Sequence, residues 1–441
     1  MEGKESFGMD IKTPINVTLS AFYKRSFAFH TIKDRIPIIL TETIDSLIRN
    51  KNDILKFYGL DGIEELKLII GEISKLKYEI QTNKPILKIE GTTDAALYNQ
   101  FLEEQMIKIQ EPTPFNAQWL HLECYVYRRL MAAIQKTKII PDLDPFIWKK
   151  EESFAKSLEL HIQLGNMVDK VLNDTECDLQ KEFTKLLKLN LWGNKCDLSI
   201  TYGVVREEDS HVDNLEKLNT KLLSDASEDI WNAISTSTEE DSSIVDIVLD
   251  NTGYEFFCDL CLADFLVEKK FAETIRFYVK SFPWFISDVT RPDIDCMLRQ
   301  LQSNKNATLR KLADRWLNYI QAGVWTLESS DFWTLPYTYK EMRRIDPDLY
   351  RKLSEAKLVI FKGDLNYRKL LGEKNWLYTT PFPDALDGFY PTKLCALRTL
   401  KADLVCGLNP GVAEEAEETD KNWLIDGKFG VIQFSNLIEK I

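Results

Sequence analysis

Long hydrophobic runs are missing from this 441-residue chain. None approaches the ~18 apolar residues that a membrane helix requires, and the N-terminus mixes charged and apolar residues without a signal-type block. A soluble protein of the cytoplasm, or of cytoplasm and nucleus, is expected. Cysteine is sparse: the eight (Cys124, Cys177, Cys196, Cys258, Cys261, Cys296, Cys395, Cys406) are dispersed as reduced packing thiols would be. Cys258 and Cys261 have no second such pair and the four histidines are scattered, which argues against zinc. Positive charge is outweighed, 56 Lys and Arg against 69 Asp and Glu for a net −13, so neither nucleic acid nor an anionic membrane is expected as the main partner. Glycine-rich phosphate loops, HExxH and G-x-S-x-G are all absent, which removes support for nucleotide triphosphate hydrolysis, zinc proteolysis and an α/β-hydrolase elbow. There is no fixed-period repeat and no heptad seam; a monomer is expected.

What is present is a change of texture. Residues near 30 to 190 read as helices: Leu40, Ile44, Leu47 and Ile48 recur at helical spacing behind Pro37, and Leu66, Ile69, Ile70, Ile73, Leu76 and Ile80 make a second stripe. Further helices are expected at Trp119 to Ile134 and Glu151 to Leu172. From about Leu191 short apolar runs alternate with helical segments. Trp192 to Asp197 reads as a compact polar turn, and Ser235 to Ser243 as an exposed loop. Strands are expected at Ile244 to Leu249, Thr274 to Val279, Leu358 to Phe361, Leu394 to Leu397 and Gly430 to Phe434, with a crossover helix after the first and a long helical insertion over 291–356. Strands alternating with helices pair in parallel through right-handed crossovers, which puts successive strand ends on one edge, where ligands bind.

Polar groups follow four of those runs. Asp250, Asn251 and Asp288 offer hard oxygens of the kind Mg²⁺ or Mn²⁺ accepts, and Asp364 adds a third carboxylate. Asp250 to Gly253 also reads as a turn or helix N-cap. Arg398 and Lys401 could grip a phosphate, one as a planar fork and one as a point charge, or form a solvated basic turn. Asp364, Asn366 and Arg368 suit sugar hydroxyls and phosphate; a turn after Gly363 explains them as well. Glu123 to Arg129 reads as an interhelical packing face. A haloacid-type phosphatase would carry a second Asp where Thr252 stands, so any site here is a different metal-phosphoryl arrangement.

Val248-Leu249-Asp250-Asn251-Thr252-Gly253-Tyr254-Glu255, Pro283 to Asp288, Phe361 to Arg368 and Arg398-Thr399-Leu400-Lys401, in that order, resemble the damage-control phosphatases, specifically subfamily III with its Arg-Thr-x-Lys signature. The similarity extends to Thr31 to Pro37, Glu123 to Arg129 and Leu191 to Leu198. The resemblance implies an α/β fold: a three-layer α/β/α body with a mostly parallel sheet over 191–441, a helical region at 31–190 packed on it, and an unmatched extension at 1–30. It implies a divalent metal of manganese, nickel or cobalt type, with Mg²⁺ a further option, held by Asp250, Asn251 and Asp288. Asp250 and Lys401 are the expected catalytic residues. Substrate contacts are implied from Asp250, Asn251, Asp364, Leu365, Asn366, Tyr367, Arg368, Arg398 and Lys401. The implied reaction is hydrolysis of reactive sugar phosphates such as fructose 1-phosphate or fructose 6-phosphate, by attack of water or of the Asp250 carboxylate.

Two other function classes stand beside this. The same branch has been called an S-adenosylmethionine-dependent protein-glutamate carboxyl methyltransferase, yet the chain shows no glycine-rich first loop followed by an acidic strand end. A noncatalytic interaction protein would instead rely on the helical region.

Overall fold

Seven strands share one sheet in the computed structural model, whose described residues are 8–200, 217–236 and 242–439, without the side chains of 194–200. They are β1 (Leu222–Asp225), β2 (Ile244–Val248), β3 (Thr274–Val279), β4 (Trp325–Ser329), β5 (Leu358–Lys362), β6 (Leu394–Thr399) and β7 (Gly430–Ser435), in the spatial order β1-β7-β6-β5-β2-β3-β4. Every pairing is parallel except β6 with β7. The sheet is buried on both faces because its residues alternate between two cores. Val248, Val359, Phe361, Ala396 and Val431 pack towards the N-terminal helices; Ile247, Leu249, Ile360, Leu397 and Ile432 pack towards the helices Leu158–Asn173, Tyr254–Glu268 and Ala307–Ala322. This is the three-layer, mostly parallel architecture expected, with the C-terminal ends of β6, β5, β2 and β3 side by side.

Several local expectations are corrected. The polar turn at Trp192 to Asp197 is helical: Leu179–Ile200 runs through it, with Leu187, Leu191 and Trp192 buried. Gly193 serves contact there and not turning, since a Cβ on it would come within 3.0 Å of Glu255 Cα on the neighbouring helix. The helical insertion contains β4, whose Trp325 closes the core beside Trp316. The helix expected over Glu151 to Leu172 is two, Ile147–Lys156 and Leu158–Asn173, divided at Ser157. β1 carried no strand signal, because it is four residues long, only three of them pair, and none is fully buried. Ile48 of the first apolar stripe is exposed. Part of the Ser235 to Ser243 loop, residues 237–241, lies outside the described residues.

The N-terminal helices bury their stripes against one another. Ile36–Arg49 starts with Pro37 in its first turn, and Lys51–Gln81 bends at Gly59, whose φ is 71°. Upstream of them the chain straps the body: Leu19 N donates to Glu373 O, Asn375 N to Val17 O and Trp119 N to Leu19 O, each at 2.9 Å. Phe27 N donates to Asp403 Oδ2 at 2.9 Å. No helix among the described residues is long and apolar enough to cross a membrane.

Candidate active site

β2 delivers Asp250 and Asn251 to the sheet edge, and Gly253, at φ 72°, turns the chain into the helix Tyr254–Glu268. Gly253 is the N-cap and no side chain caps this helix, so the Asp-Asn pair is left for other partners. Beyond β3 the loop folds back through Phe285 and Ile286, whose φ values are 43° and 74°. A positive φ is strained for any bulky residue and most of all for a β-branched one. Packing holds it, with Tyr127 stacked on Phe285 at 4.6 Å between centroids. The fold-back sets Ser287 and Asp288 antiparallel to Asn251: Thr252 N donates to Ser287 O at 2.7 Å and Val289 N to Asp250 O at 2.8 Å. Two segments distant in sequence thereby present Asp250, Asn251 and Asp288 together.

Their electrostatics are crowded. Burial pushes the Asp250 carboxyl well above the usual carboxylate range, and Glu255 and Asp288 push it further, against Lys280 and Lys401. Burial likewise pushes Asp288 up to about 6, opposed by Lys280. Lys280 Nζ donates to Leu249 O at 3.1 Å and lies 3.2 Å from Asp288 Oδ2, a buried ion pair. Among the described residues no group of three or more His, Cys, Asp or Glu side chains forms a ready metal cage. Two carboxylates and a carboxamide remain a donor set that a hard divalent cation fits, with positions left for water and substrate.

From β5, Gly363 begins the helix Gly363–Leu370 with its first turn against Asp250. The expected contacts from residues 364–368 divide by what their side chains touch. Leu365 is buried; Asn366 Nδ2 donates to Lys362 O at 2.7 Å, and Tyr339 Oη donates to its Oδ1. Tyr367 Oη donates to Gln433 at 2.7 Å. Arg368, over the Trp119 ring, forks onto Glu373 and reaches Glu123 at 2.6 Å, so the Glu123 helix is indeed a packing face. What this helix turns to the edge is its first-turn amides, which have no intrahelical acceptor and favour an anion.

Arg398 and Lys401 also separate. Arg398, fully buried, donates to Asp364 Oδ1 at 2.7 Å, Leu404 O at 2.6 Å and Ala402 O at 3.1 Å, and lies over the Tyr367 ring. The direct phosphate grip expected of it is therefore replaced by a clamp on the loop that carries Lys401, whose backbone N also donates to Asp364 at 3.1 Å. Lys401 is half-buried and close enough to lower the cost of charge on Asp250.

Sequence reasoning did not single out Glu255, Lys280, Ser287 or Lys362. Glu255, Ser287 and Lys362 lay inside the matching motifs without being marked there; Lys280 and Lys362 are buried lysines that close β3 and β5.

A mostly parallel sheet whose C-terminal edge gathers two carboxylates, a carboxamide, a lysine and a helix N-terminus defines an α/β/α protein with its polar groups at the strand ends, the edge at which open sheets of this kind bind ligands. The model of the damage-control phosphatase ARMT1-like domain matches residues 31–416. Damage-control phosphatase ARMT1 of Mus musculus is 42% identical over 428 residues, 94% of this chain and 98% of that protein, and the Homo sapiens protein of that name is 41% identical over 93% and 96%. The chain belongs to the ARMT1-like damage-control phosphatase family. Among solved structures, a DUF89 family protein of Pyrococcus horikoshii covers 88% of this chain and 96% of its own at 16% identity and a TM-score of 0.42.

Proposed function

We propose that the protein is a metal-dependent phosphomonoester hydrolase acting on reactive sugar phosphates of the fructose 1-phosphate or fructose 6-phosphate type. Support comes from the family and, above all, from one observation: Asp250, Asn251 and Asp288 converge beside Lys401 and the first turn of Gly363–Leu370. Oxygens of those three residues would hold the metal, with Mn²⁺ or Ni²⁺ preferred and Co²⁺ or Mg²⁺ accepted. When bound, the metal supplies charge neutralisation at the phosphoryl oxygens. Lys401 and the amides at the start of Gly363–Leu370 orient the phosphate and stabilise charge that builds on its remaining oxygens. Arg398 and Asp364 hold the Lys401 loop in register. Asp250 has two compatible roles, ligand and phosphoryl acceptor, and the stereochemical course at phosphorus separates them, inversion for direct attack by water and retention for transfer through a phosphoryl-Asp250 intermediate.

The test is a phosphate-release screen over sugar phosphates in defined metals, wild type against Asp250→Asn. Release should vanish on chelation, return with manganese or nickel, and be lost in the variant; equal turnover in the variant would remove Asp250 from the reaction. No structural observation favours methyl transfer, since β2 is followed by the single glycine Gly253 and not by a glycine-rich turn. Saturable S-adenosylmethionine binding would reopen that reading.

A further inference from the structure

We propose that Glu255 is a positioning residue that, with Ser287, fixes which end of the Asn251 carboxamide faces the metal; this rests on the metal reading above. The two ends of a carboxamide are nearly equal in size and opposite in hydrogen-bonding sense, so only partners can decide its orientation. Here they do. Asn251 Nδ2 donates to Asp250 Oδ2 at 2.6 Å and to Glu255 Oε2 at 3.0 Å, while Oδ1 accepts from Ser287 Oγ at 2.5 Å. A flipped amide would set its oxygen against two carboxylates and its NH₂ against a hydroxyl that is donating.

Asp250 is itself a proposed ligand, so its carboxylate answers to the cation as well as to Asn251. Glu255 is not among the proposed ligands. It sits in the first turn of Tyr254–Glu268, buried, with Oε1 held by Lys362 Nζ at 3.2 Å. Lys362 Nζ is in turn fixed by Asp259 Oδ1 at 2.8 Å, which accepts from Asn190 Nδ2 at 2.7 Å. The chain Asn190, Asp259, Lys362, Glu255, Asn251 therefore ties the ligand's orientation to the helix Leu179–Ile200, the crossover helix and β5. Ser287 closes the arrangement from the strained loop that also carries Asp288. Oδ1, the end able to ligate, is thus kept on the Asp288 side.

The experiment is Mn²⁺ titration of the full chain, followed by the electron paramagnetic resonance of free Mn²⁺, for wild type, Glu255→Gln, Ser287→Ala, Asn251→Ala and the Glu255→Gln/Asn251→Ala double variant. Partners that orient a ligand typically account for about 10- to 100-fold in metal affinity. Glu255→Gln and Ser287→Ala should each weaken Mn²⁺ binding on that scale, and phosphate release by both should recover at high Mn²⁺. In the Asn251→Ala background, Glu255→Gln should cause no further loss, because its effect runs through Asn251. An equal loss with and without Asn251 would mean that the Glu255 charge acts directly on the cation, and would overturn the proposal, as would unchanged affinity in Glu255→Gln. Ser287→Ala removes one hydroxyl and leaves the buried ion pairs alone, so it decides the matter should Glu255→Gln not fold. Wild type lacking saturable Mn²⁺ binding sinks the metal reading and this one together; wild-type binding unmoved in the variants sinks this one alone.

Discussion

Gly363 lies directly against Asp250: a methyl group on its α-carbon would fall 1.9 Å from Asp250 Oδ2, and its φ of 84° is left-handed besides. Contact this close joins the end of β5 to the end of β2 and sets the carboxylate beside the first turn of Gly363–Leu370. Gly363→Ala should cost about 1–2 kcal/mol from backbone conformation alone. Its effect on Mn²⁺ affinity should be larger than its effect on stability, because Asp250 must move. Urea denaturation and Mn²⁺ titration of the same variant check both; normal metal affinity would show that the carboxylate has somewhere else to go.

Arg398→Lys keeps the charge and loses the fork. A lysine cannot serve Asp364, Ala402 and Leu404 together. The hydrogen bonds it drops, each worth about 1.5–3 kcal/mol where the donor is charged, should lower the denaturation midpoint markedly. In variant protein that remains folded, KM for the phosphate ester should rise more than kcat falls, since Lys401 and the neighbouring amides lose their register.

His121 and His161 give the protein an acid limit unrelated to the carboxylates. Burial holds His121 down at about 3; burial also holds His161 down at about 4, against the Ser157 carbonyl that faces Nδ1 at 2.7 Å. Both folded values lie below 6.5, so the unfolded chain takes up these protons first. The stability they contribute is complete above pH 6.5 and is lost as pH falls towards 4, at up to about 1.4 kcal/mol per pH unit for each histidine. Denaturation at pH 6.5 and 5.0 should show a shallower slope in His161→Gln by about that amount; equal slopes would mean that His161 accepts its proton in the folded state.

Asp403 anchors Phe27 at the start of the N-terminal helices, two residues beyond Lys401. Asp403→Ala should cost about 1.5–3 kcal/mol, the range for a hydrogen bond to a charged group. Asp403→Asn, which retains an acceptor, should cost less. Protease nicking before residue 30 should rise in Asp403→Ala if the contact holds the strap down, and stay at the wild-type rate if it does not.

The main strands were legible because β2, β3, β5 and β6 are short, apolar and rich in branched residues, a pattern that burial on both sheet faces demands. β4 was not, since its middle is only half-buried and its composition matches the surrounding helices. The polar groups past each strand were legible too, because parallel pairing leaves few other places for them. The hydrogen bonds of Arg398 were not legible, for a definite reason: a basic residue at the end of a strand looks the same in sequence whether it faces solvent, a ligand or the carbonyls of its own loop.

By itself the sequence determined that Asp250, Asn251, Asp364 and Lys401 would follow apolar strands of a mostly parallel sheet, since local hydrophobic pattern and chain connectivity suffice for that; that Asp288 meets Asn251 depends on the loop beyond β3 folding back. Only the tertiary structure decided how they are held. Which end of the Asn251 carboxamide meets Glu255 and which meets Ser287, which atoms Arg398 reaches, and why position 363 is glycine all depend on distances between segments far apart in the chain, and hydrogen bonds and steric contacts change within tenths of an ångström.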